Sequence, residues 1–118
     1  MLAELQVKKL LLRAYIGFNQ HEIGKLQDVN IHFKVYYDTS VEELSDKQED
    51  AMDYKNLTKQ IIALVDGNQF NLLENLTHQI LNCLMLEERI KKAIVEVEKP
   101  HALRFADSVS FTLTDVKS

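Results

Sequence analysis

A strict alternation of apolar and polar side chains over residues 29–37 constrains the fold of this chain more than any other feature. A period of two is typical of a β-strand that buries one face and leaves the other in contact with solvent. The apolar positions that share one face are Val29, Ile31, Phe33, Val35 and Tyr37. Such a strand needs partners in a sheet and further elements over its apolar face.

Three further segments have strand character. Residues 5–16 are mostly apolar or β-branched, and residues 17–24, a loop with glycine at both ends, separate them from residues 29–37. Glycines at loop ends suit a tight turn, so we predict a long hairpin. Residues 93–98 and 108–114 alternate in the same way and predict a second pair of strands.

The middle of the chain has helical periodicity. Apolar residues recur at helical spacing over residues 57–65, and Gly67 supplies a stop. A second helix follows with its apolar stripe over residues 73–84, and Asn71 is its predicted N-cap. Residues 38–50 are acidic and polar with little periodicity, which predicts an exposed connection.

The predicted element order over residues 1–118 is β-β-α-α-β-β, which indicates a single α+β domain. The expected architecture is an antiparallel four-stranded sheet with two helices on one face. The outer strands of such a sheet keep unpaired backbone groups at both edges. Edge-to-edge association into a closed barrel would pair those groups, so we expect an oligomeric β-barrel.

Charge and cysteine content narrow the function. The formal net charge of −4 argues against nucleic-acid binding, which needs clustered cations. No apolar run approaches the ~20 residues that span a bilayer, so we expect no membrane partner. Cys83 is the sole cysteine and the four histidines are scattered, so neither a disulfide nor a metal site is predicted. We expect a cytoplasmic protein.

The only proline of the chain follows Lys99 at the predicted end of a strand. Proline cannot donate a backbone hydrogen bond to a neighbouring strand, so the strand should end there, with Lys99 as its last residue. A lysine in that place is well situated for acid–base chemistry. The alternative is a solvated lysine before a turn, since most charged side chains lie on the surface.

Three other polar side chains fall at loops or helix ends, where they could converge with Lys99. Glu22 lies in the first hairpin loop and could instead be solvated. Tyr54 begins the first helix, where its ring could simply pack on a neighbouring helix. Residues 71–74 read Asn-Leu-Leu-Glu, the spacing of a capping box for Glu74. Its carboxylate could also accept two parallel hydrogen bonds from a planar amidine-like heterocycle.

Several short motifs occur in a fixed order along nearly the whole chain. They are Ile16-Gly17, Glu22, Gln27-Asp28-Val29, Asp53-Tyr54, Asn71-Leu72-Leu73-Glu74 and Lys99-Pro100. Together they resemble the dihydroneopterin aldolase superfamily, whose members have the tunnelling fold. The segment 99–110, Lys-Pro-His-Ala-Leu-Arg-Phe-Ala-Asp-Ser-Val-Ser, is more similar to the epimerase branch of that superfamily than to the aldolases proper.

The resemblance implies a homo-octamer of two stacked four-subunit β-barrels, with active sites between neighbouring subunits and neither a metal ion nor an organic cofactor. It implies that Glu74 anchors the 2-amino and ring N–H edge of a pterin, in a pocket shaped by Leu72 and Leu73. Asp53 is placed among the substrate-binding residues, and Tyr54 contacts the pterin side chain from the other subunit.

The activity implied by the resemblance is inversion of C2′ of 7,8-dihydroneopterin triphosphate to give 7,8-dihydromonapterin triphosphate. No carbonyl acidifies the C2′ proton, so we expect retro-aldol cleavage of C1′–C2′ and re-addition to the other face of the aldehyde. Lys99 and Glu22, with Tyr54, are the expected catalytic residues. The alternatives are a dihydroneopterin aldolase of folate synthesis and, in another class, a non-catalytic pterin-binding or scaffold oligomer.

The triphosphate of such a substrate needs cationic partners. His101 and Arg104 lie just beyond Lys99, and arginine can hold phosphate oxygens bidentately. We therefore expect these two residues, with Lys8 or Lys9, to contact the triphosphate. The alternative for Arg104 is an ion pair at a subunit interface.

Overall fold

The computed structural model describes residues 1–118 and contains one five-stranded sheet with order β3-β1-β2-β4-β5. The strands are β1 (Leu2–Ile16), β2 (Leu26–Asp38), β3 (Gln69–Phe70), β4 (Lys92–Lys99) and β5 (Val109–Val116). The helices are α1 (Glu42–Ser45), α2 (Tyr54–Val65) and α3 (Leu73–Met85), with a 3₁₀ turn at Gln48–Asp50. The fold is α+β as predicted, and the four long strands pair antiparallel in the order β1-β2-β4-β5.

The core lies between one face of the sheet and the helices α2 and α3. The alternating positions of β2 predicted to face inward are all buried, and β4 buries its own alternate positions, including Val95 and Val97. Each helix contributes a stripe at three- or four-residue spacing, which matches the helical period. These stripes are Leu57, Ile61 and Val65 in α2 and Leu76, Ile80 and Leu84 in α3. The predicted helical face and strand face therefore meet in one core.

The fifth strand, β3, departs from the prediction. Gln69 and Phe70 pair parallel with Tyr15 and Ile16, so the sheet is mixed rather than purely antiparallel. Two residues are too few to produce a recognisable period, which is why the sequence pattern does not reveal this strand. It lies at the edge of the sheet beside β1 and leads directly into α3.

The start of α3 also differs from the prediction. Because β3 pairs with β1, the backbone stays extended through Leu72, which has φ −126° and ψ 141°. The helix therefore begins at Leu73, and Leu72 occupies the N-cap position without a side-chain hydrogen bond. Asn71 lies one residue too early to cap the helix, so the predicted Asn71 cap and its capping box with Glu74 are wrong.

The connection at residues 38–50 is more ordered than its sequence indicates. It contains α1 and the 3₁₀ turn, and Arg89 ties it to the rest of the fold. The Arg89 guanidinium donates to the carbonyl oxygens of Asp38 at 2.8 Å and Asp50 at 2.9 Å, and to the Glu42 carboxylate at 2.7 Å. These hydrogen bonds from Arg89 stabilise the connection, and its local periodicity does not predict them because Arg89 lies at least 39 residues further along the chain.

A β-bulge interrupts β1 between Val7 and Leu10, where the register with β2 shifts. Lys9 has a φ of +51°, which is unusual for a residue with a side chain. Its backbone N–H donates to Nδ1 of His32 at 3.1 Å, so the bulge is anchored across the sheet. None of the helices is both long enough and apolar enough to cross a bilayer.

Candidate active site

The predicted strand-end lysine is buried and paired. β4 ends at Lys99, immediately before Pro100, and the Lys99 Nζ donates to Oε2 of Glu22 at 2.9 Å. Only 11% of the Lys99 side chain and 15% of the Glu22 side chain are exposed. The alternatives in which these two residues are solvated are therefore wrong for this chain. The structure brings together two charges that lie 77 residues apart in the sequence.

Both oxygens of the Glu22 carboxylate have partners. Oε1 accepts hydrogen bonds from the Asn19 side-chain amide at 2.9 Å and the Asn19 backbone N–H at 3.4 Å. The hydrogen bond from Lys99 is the main cause that holds the pKa of Glu22 below its ordinary value of 4.5, and burial opposes it. At neutral pH the carboxylate is therefore ionised and held in one orientation.

Gly17 makes room for that carboxylate. A Cβ at this position would overlap the carboxylate carbon and both oxygens of Glu22, well inside the separation that real Cβ atoms keep. The backbone of Gly17 also has a φ of +121°, which side chains disfavour. The sequence identifies Gly17 as a loop-end glycine, whereas the structure shows that the site requires it.

The Lys99–Glu22 pair lines a cavity of about 370 Å³, within the usual range for small-molecule sites. The cavity lies between the β1–β2 loop, the first residues of β2 and the turn after β4. Besides Lys99 and Glu22, its lining comprises Arg13, His21, Lys25, Leu26, Gln27, Asp28, His101 and Ala102. Gln27 is held in place by a 2.6 Å hydrogen bond from its side-chain amide to the Ile16 carbonyl oxygen.

Tyr54 and Asp53 lie elsewhere on the chain. They line a separate cavity of about 480 Å³ together with residues such as Gln48 and Lys59. Asp53 is the N-cap of α2, because its Oδ1 accepts from the Asn56 backbone N–H at 2.9 Å. A single chain therefore does not bring Tyr54 to Lys99, and one oxygen of Asp53 already serves the helix.

A third location, at the start of α3, contains Glu74, Leu72 and Leu73. Glu74 is exposed in the first turn of the helix, and Leu72 beside it is 44% exposed. Leu73 is partly buried and packs against the core. With the capping box absent, the carboxylate of Glu74 is available to an incoming ligand.

Of the residues expected to contact the triphosphate, some line the cavity of Lys99 and others lie outside it. His101 lines the cavity of Lys99, in agreement with its position just past the strand. Arg104 does not line it, because its guanidinium lies over the ring of Phe105, 5.4 Å from the centroid, in the exposed loop. Lys8 and Lys9 lie at the β1 bulge and do not line the cavity either.

Sequence reasoning missed a network that anchors the loop after Pro100. Ser108, at the far end of this loop, donates its hydroxyl to Glu98 at 2.7 Å, and this bond is the main cause that lowers the pKa of Glu98. Glu98 also accepts from Asn30 at 3.3 Å and lies 3.4 Å from Nε2 of His32. Both ends of the loop that carries His101 are thereby fixed to the sheet.

No group of three or more His, Cys, Asp or Glu side chains is arranged to hold a metal ion. The chemical groups around the cavity are two carboxylates, two lysines, an arginine, two imidazoles and the Gln27 side-chain amide. Such a set can orient a polar substrate and move protons to and from it. The arrangement is that of a small α+β enzyme with an acid–base pair at a strand end.

Comparison with known proteins identifies the family. The sequence model of the dihydroneopterin aldolase family matches residues 5–114. The chain is 44% identical over 112 residues to dihydroneopterin triphosphate 2′-epimerase of Pseudomonas aeruginosa, covering 95% of this chain and 91% of that protein. It is 40% identical to the protein of the same name from Escherichia coli K12, covering 95% and 93%. The chain therefore belongs to the dihydroneopterin aldolase family, and the predicted similarity to its epimerase branch is confirmed.

The fold comparison agrees with the family. The structure of E. coli dihydroneopterin aldolase in complex with neopterin matches with a TM-score of 0.90 over 96% of this chain and 98% of that one. Sequence identity in this comparison is only 18%, so the match establishes the shared fold. The predicted tunnelling-fold architecture is confirmed.

Proposed function

We propose that the chain catalyses inversion of C2′ of 7,8-dihydroneopterin triphosphate, giving 7,8-dihydromonapterin triphosphate. The observation that carries the proposal is the Lys99–Glu22 pair, joined at 2.9 Å in a cavity at the end of β4. The similarity to two named epimerases over 95% of the chain supports this substrate and reaction. We also propose that the enzyme is cytoplasmic and needs neither a metal ion nor an organic cofactor.

The proposed chemistry is a reversible retro-aldol cleavage. The proton of the 2′-hydroxyl passes to the Lys99–Glu22 pair as the C1′–C2′ bond breaks, and C2′ becomes an aldehyde. The bond electrons form an enamine with the pterin ring while N5 receives a proton, so the enzyme keeps its total number of protons. Rotation of the aldehyde and attack by C1′ on its other face reverse these transfers and invert C2′.

The geometry suits proton transfer better than direct attack on the substrate. Glu22 has a lowered pKa and two hydrogen bonds from Asn19, so it acts chiefly as a fixed partner of Lys99. Lys99, held at the strand end by that carboxylate, is the mobile proton carrier of the pair: its ammonium group gives a proton to N5 as the bond breaks, and the resulting amine takes the proton of the 2′-hydroxyl. General acid–base groups of this kind typically contribute about 10²–10⁴-fold in rate.

Aldolase activity is the second candidate, and the family match favours it specifically. If the enamine is protonated at C1′ before the aldehyde adds back, the fragments leave and the same site has acted as an aldolase. The two outcomes share Lys99, Glu22 and Tyr54, so the ratio depends on how long the aldehyde stays beside the enamine. We propose that epimerisation dominates with the triphosphate substrate.

The proposed active site is completed by a neighbouring subunit. Lys99 and Glu22 line one cavity, Tyr54 lines another, and Glu74 lies at a third location, so one chain presents partial sites. The strands β3 and β5 form open edges, where further copies can pair. We propose the homo-octamer of two stacked barrels, in which Glu74 anchors the pterin ring and Tyr54 contacts its side chain.

One product analysis tests the proposal. The purified protein is incubated separately with 7,8-dihydroneopterin triphosphate and with 7,8-dihydroneopterin, and the products are separated by chromatography. Dominant formation of monapterin triphosphate supports the epimerase, and dominant cleavage of the unphosphorylated substrate supports the aldolase. Absence of turnover with both substrates would overturn both enzymatic functions and favour a pterin-binding or scaffold oligomer.

A further inference from the structure

The cavity beside Lys99 has more basic side chains than it needs for its own ion pairs. It is lined by two carboxylates, and each already has a cationic partner. Glu22 is bound by Lys99 at 2.9 Å, and Asp28 Oδ1 lies 3.2 Å from Nε of Arg13. The basic side chains that line the cavity without an ion pair are Lys25, His21 and His101.

These three side chains surround the reacting pair because of the local fold. His21 precedes Glu22 in the β1–β2 loop, and the Lys25 backbone N–H donates to the Glu22 carbonyl oxygen at 3.2 Å. That turn places Lys25 directly before β2, where it lines the cavity. His101 lies two residues after the end of β4 and lines the same cavity. The three unpaired donors therefore share one cavity with the reacting pair.

We propose that Lys25, together with His21 and His101, binds the polyphosphate tail of the substrate. This inference rests on the proposed function, which places C2′ beside the Lys99–Glu22 pair. A tail attached at the adjacent C3′ must leave the reacting centre through the same cavity. An ammonium group and imidazole N–H groups are donors for phosphate oxygens, and hydrogen bonds to a charged acceptor are about twice as strong as neutral ones.

Arg13 and Arg104 have different roles in this account. Arg13 is already engaged by Asp28, and its Nη2 donates to the Leu26 carbonyl oxygen at 3.4 Å, so it is not counted among the free donors for the tail. Arg104 stacks on Phe105 outside the cavity. The tail-binding residues are therefore in the first hairpin and at His101, rather than at Arg104 as the sequence suggests.

Retention of the tail has a consequence for the reaction outcome. After C1′–C2′ cleavage the aldehyde fragment carries the phosphates, and the fragment is free to leave unless the tail holds it. A bound tail keeps the aldehyde at high effective concentration beside the enamine, which favours re-addition over release. Lys25 is thus a specificity-determining residue that favours epimerisation over cleavage.

Lys25→Gln tests the kinetic part of the inference, with Lys47→Gln as the matched control. Lys47 is an exposed lysine that does not line this cavity. With the triphosphate substrate we expect Lys25→Gln to lower kcat/KM by about tenfold to a hundredfold and to raise the ratio of cleavage to epimerisation. The loss should be much smaller with unphosphorylated dihydroneopterin, which has no tail for Lys25 to bind. Equal losses with both substrates, or no loss with either, would overturn the inference.

Binding of inorganic tripolyphosphate, measured by calorimetry, separates this inference from the proposed function. We expect wild type and Lys47→Gln to bind it alike, with weaker binding by Lys25→Gln and at higher salt, which screens charge. If neither pterin is turned over but tripolyphosphate binds in this Lys25-dependent way, the proposed function fails and the anion site stands. Failure of the wild-type protein to bind tripolyphosphate, or equal binding by Lys25→Gln, would overturn the site.

Discussion

Replacement of Lys99 by methionine tests whether the acid–base pair is as closely coupled as the structure indicates. Lys99→Met keeps most of the unbranched side chain, which is one atom shorter, but leaves the Glu22 carboxylate, 15% exposed, without its cation. Removal of one partner from a fully buried pair typically costs ~3–5 kcal/mol. Glu22 keeps its hydrogen bonds from Asn19 and borders a cavity that admits solvent, so we expect a smaller loss of about 2–3 kcal/mol.

Urea denaturation at a fixed protomer concentration measures this loss, because association changes the apparent stability. The double variant Glu22→Gln/Lys99→Met removes both charges and should be more stable than the sum of the single losses predicts, with a coupling of about 1–3 kcal/mol. Lys47→Met, on the surface, should change the free energy of unfolding by less than ~0.5 kcal/mol.

The pH dependence gives an independent check with a definite sign. The pKa of Glu22 is lower in the folded state than its ordinary value of 4.5, so the ionised carboxylate stabilises the fold. That stabilisation is complete above the ordinary pKa and disappears as the pH falls through the lowered folded-state pKa. The difference between wild type and Lys99→Met should therefore be present at neutral pH and vanish in acid. Equal stability at neutral pH, or a difference that persists unchanged in acid, would refute the reasoning.

Three further outcomes are expected. Gly17→Ala should displace the Glu22 carboxylate and lower kcat with both pterin substrates, and retention of wild-type kcat would show that the loop adapts freely. Glu74→Gln should raise KM for the pterin by about tenfold or more through loss of a charged acceptor. Its free energy of unfolding in urea should stay unchanged, because Glu74 forms no capping box. An unchanged KM would exclude the anchoring role. Mixed oligomers reassembled from equal amounts of Tyr54→Phe and Lys99→Met subunits should regain activity at about a quarter of the sites, because Tyr54 and Lys99 of one site come from different subunits, and failure of this complementation would contradict a site shared between subunits.

The sequence predicts the large elements of this fold well, because their periods are long and regular. The alternation in β2 and β4 and the helical stripes of α2 and α3 all appear in the core as expected. The sequence does not predict the two-residue strand β3 or the bulge at Lys9, since each depends on pairing with a distant segment. The misplaced helix cap at Asn71 has the same origin, because β3 keeps the following backbone extended.

The candidate site is only partly encoded in local patterns. Lys99 could be singled out because a proline ends its strand and Glu22 because it lies in the first hairpin loop, and the resemblance to a known family added a catalytic role for Glu22. The close contact between them depends on the whole sheet, which brings the first hairpin beside the end of β4. The requirement for Gly17 and the role of Asn19 depend on the three-dimensional position of the Glu22 carboxylate. Spacing along the chain does not contain that information.

The reaction carried out in D₂O tests the central claim, a retro-aldol epimerisation at the Lys99–Glu22 site, most directly. The C2′ hydrogen stays on the aldehyde throughout a retro-aldol cycle, so monapterin triphosphate formed from protiated substrate should retain protium at C2′ by mass spectrometry and NMR. Any cleavage product should carry solvent deuterium at the former C1′, which serves as an internal control, and Lys99→Met should form neither product. Inverted product with deuterium at C2′ would contradict the account, because it would require direct removal of the C2′ proton.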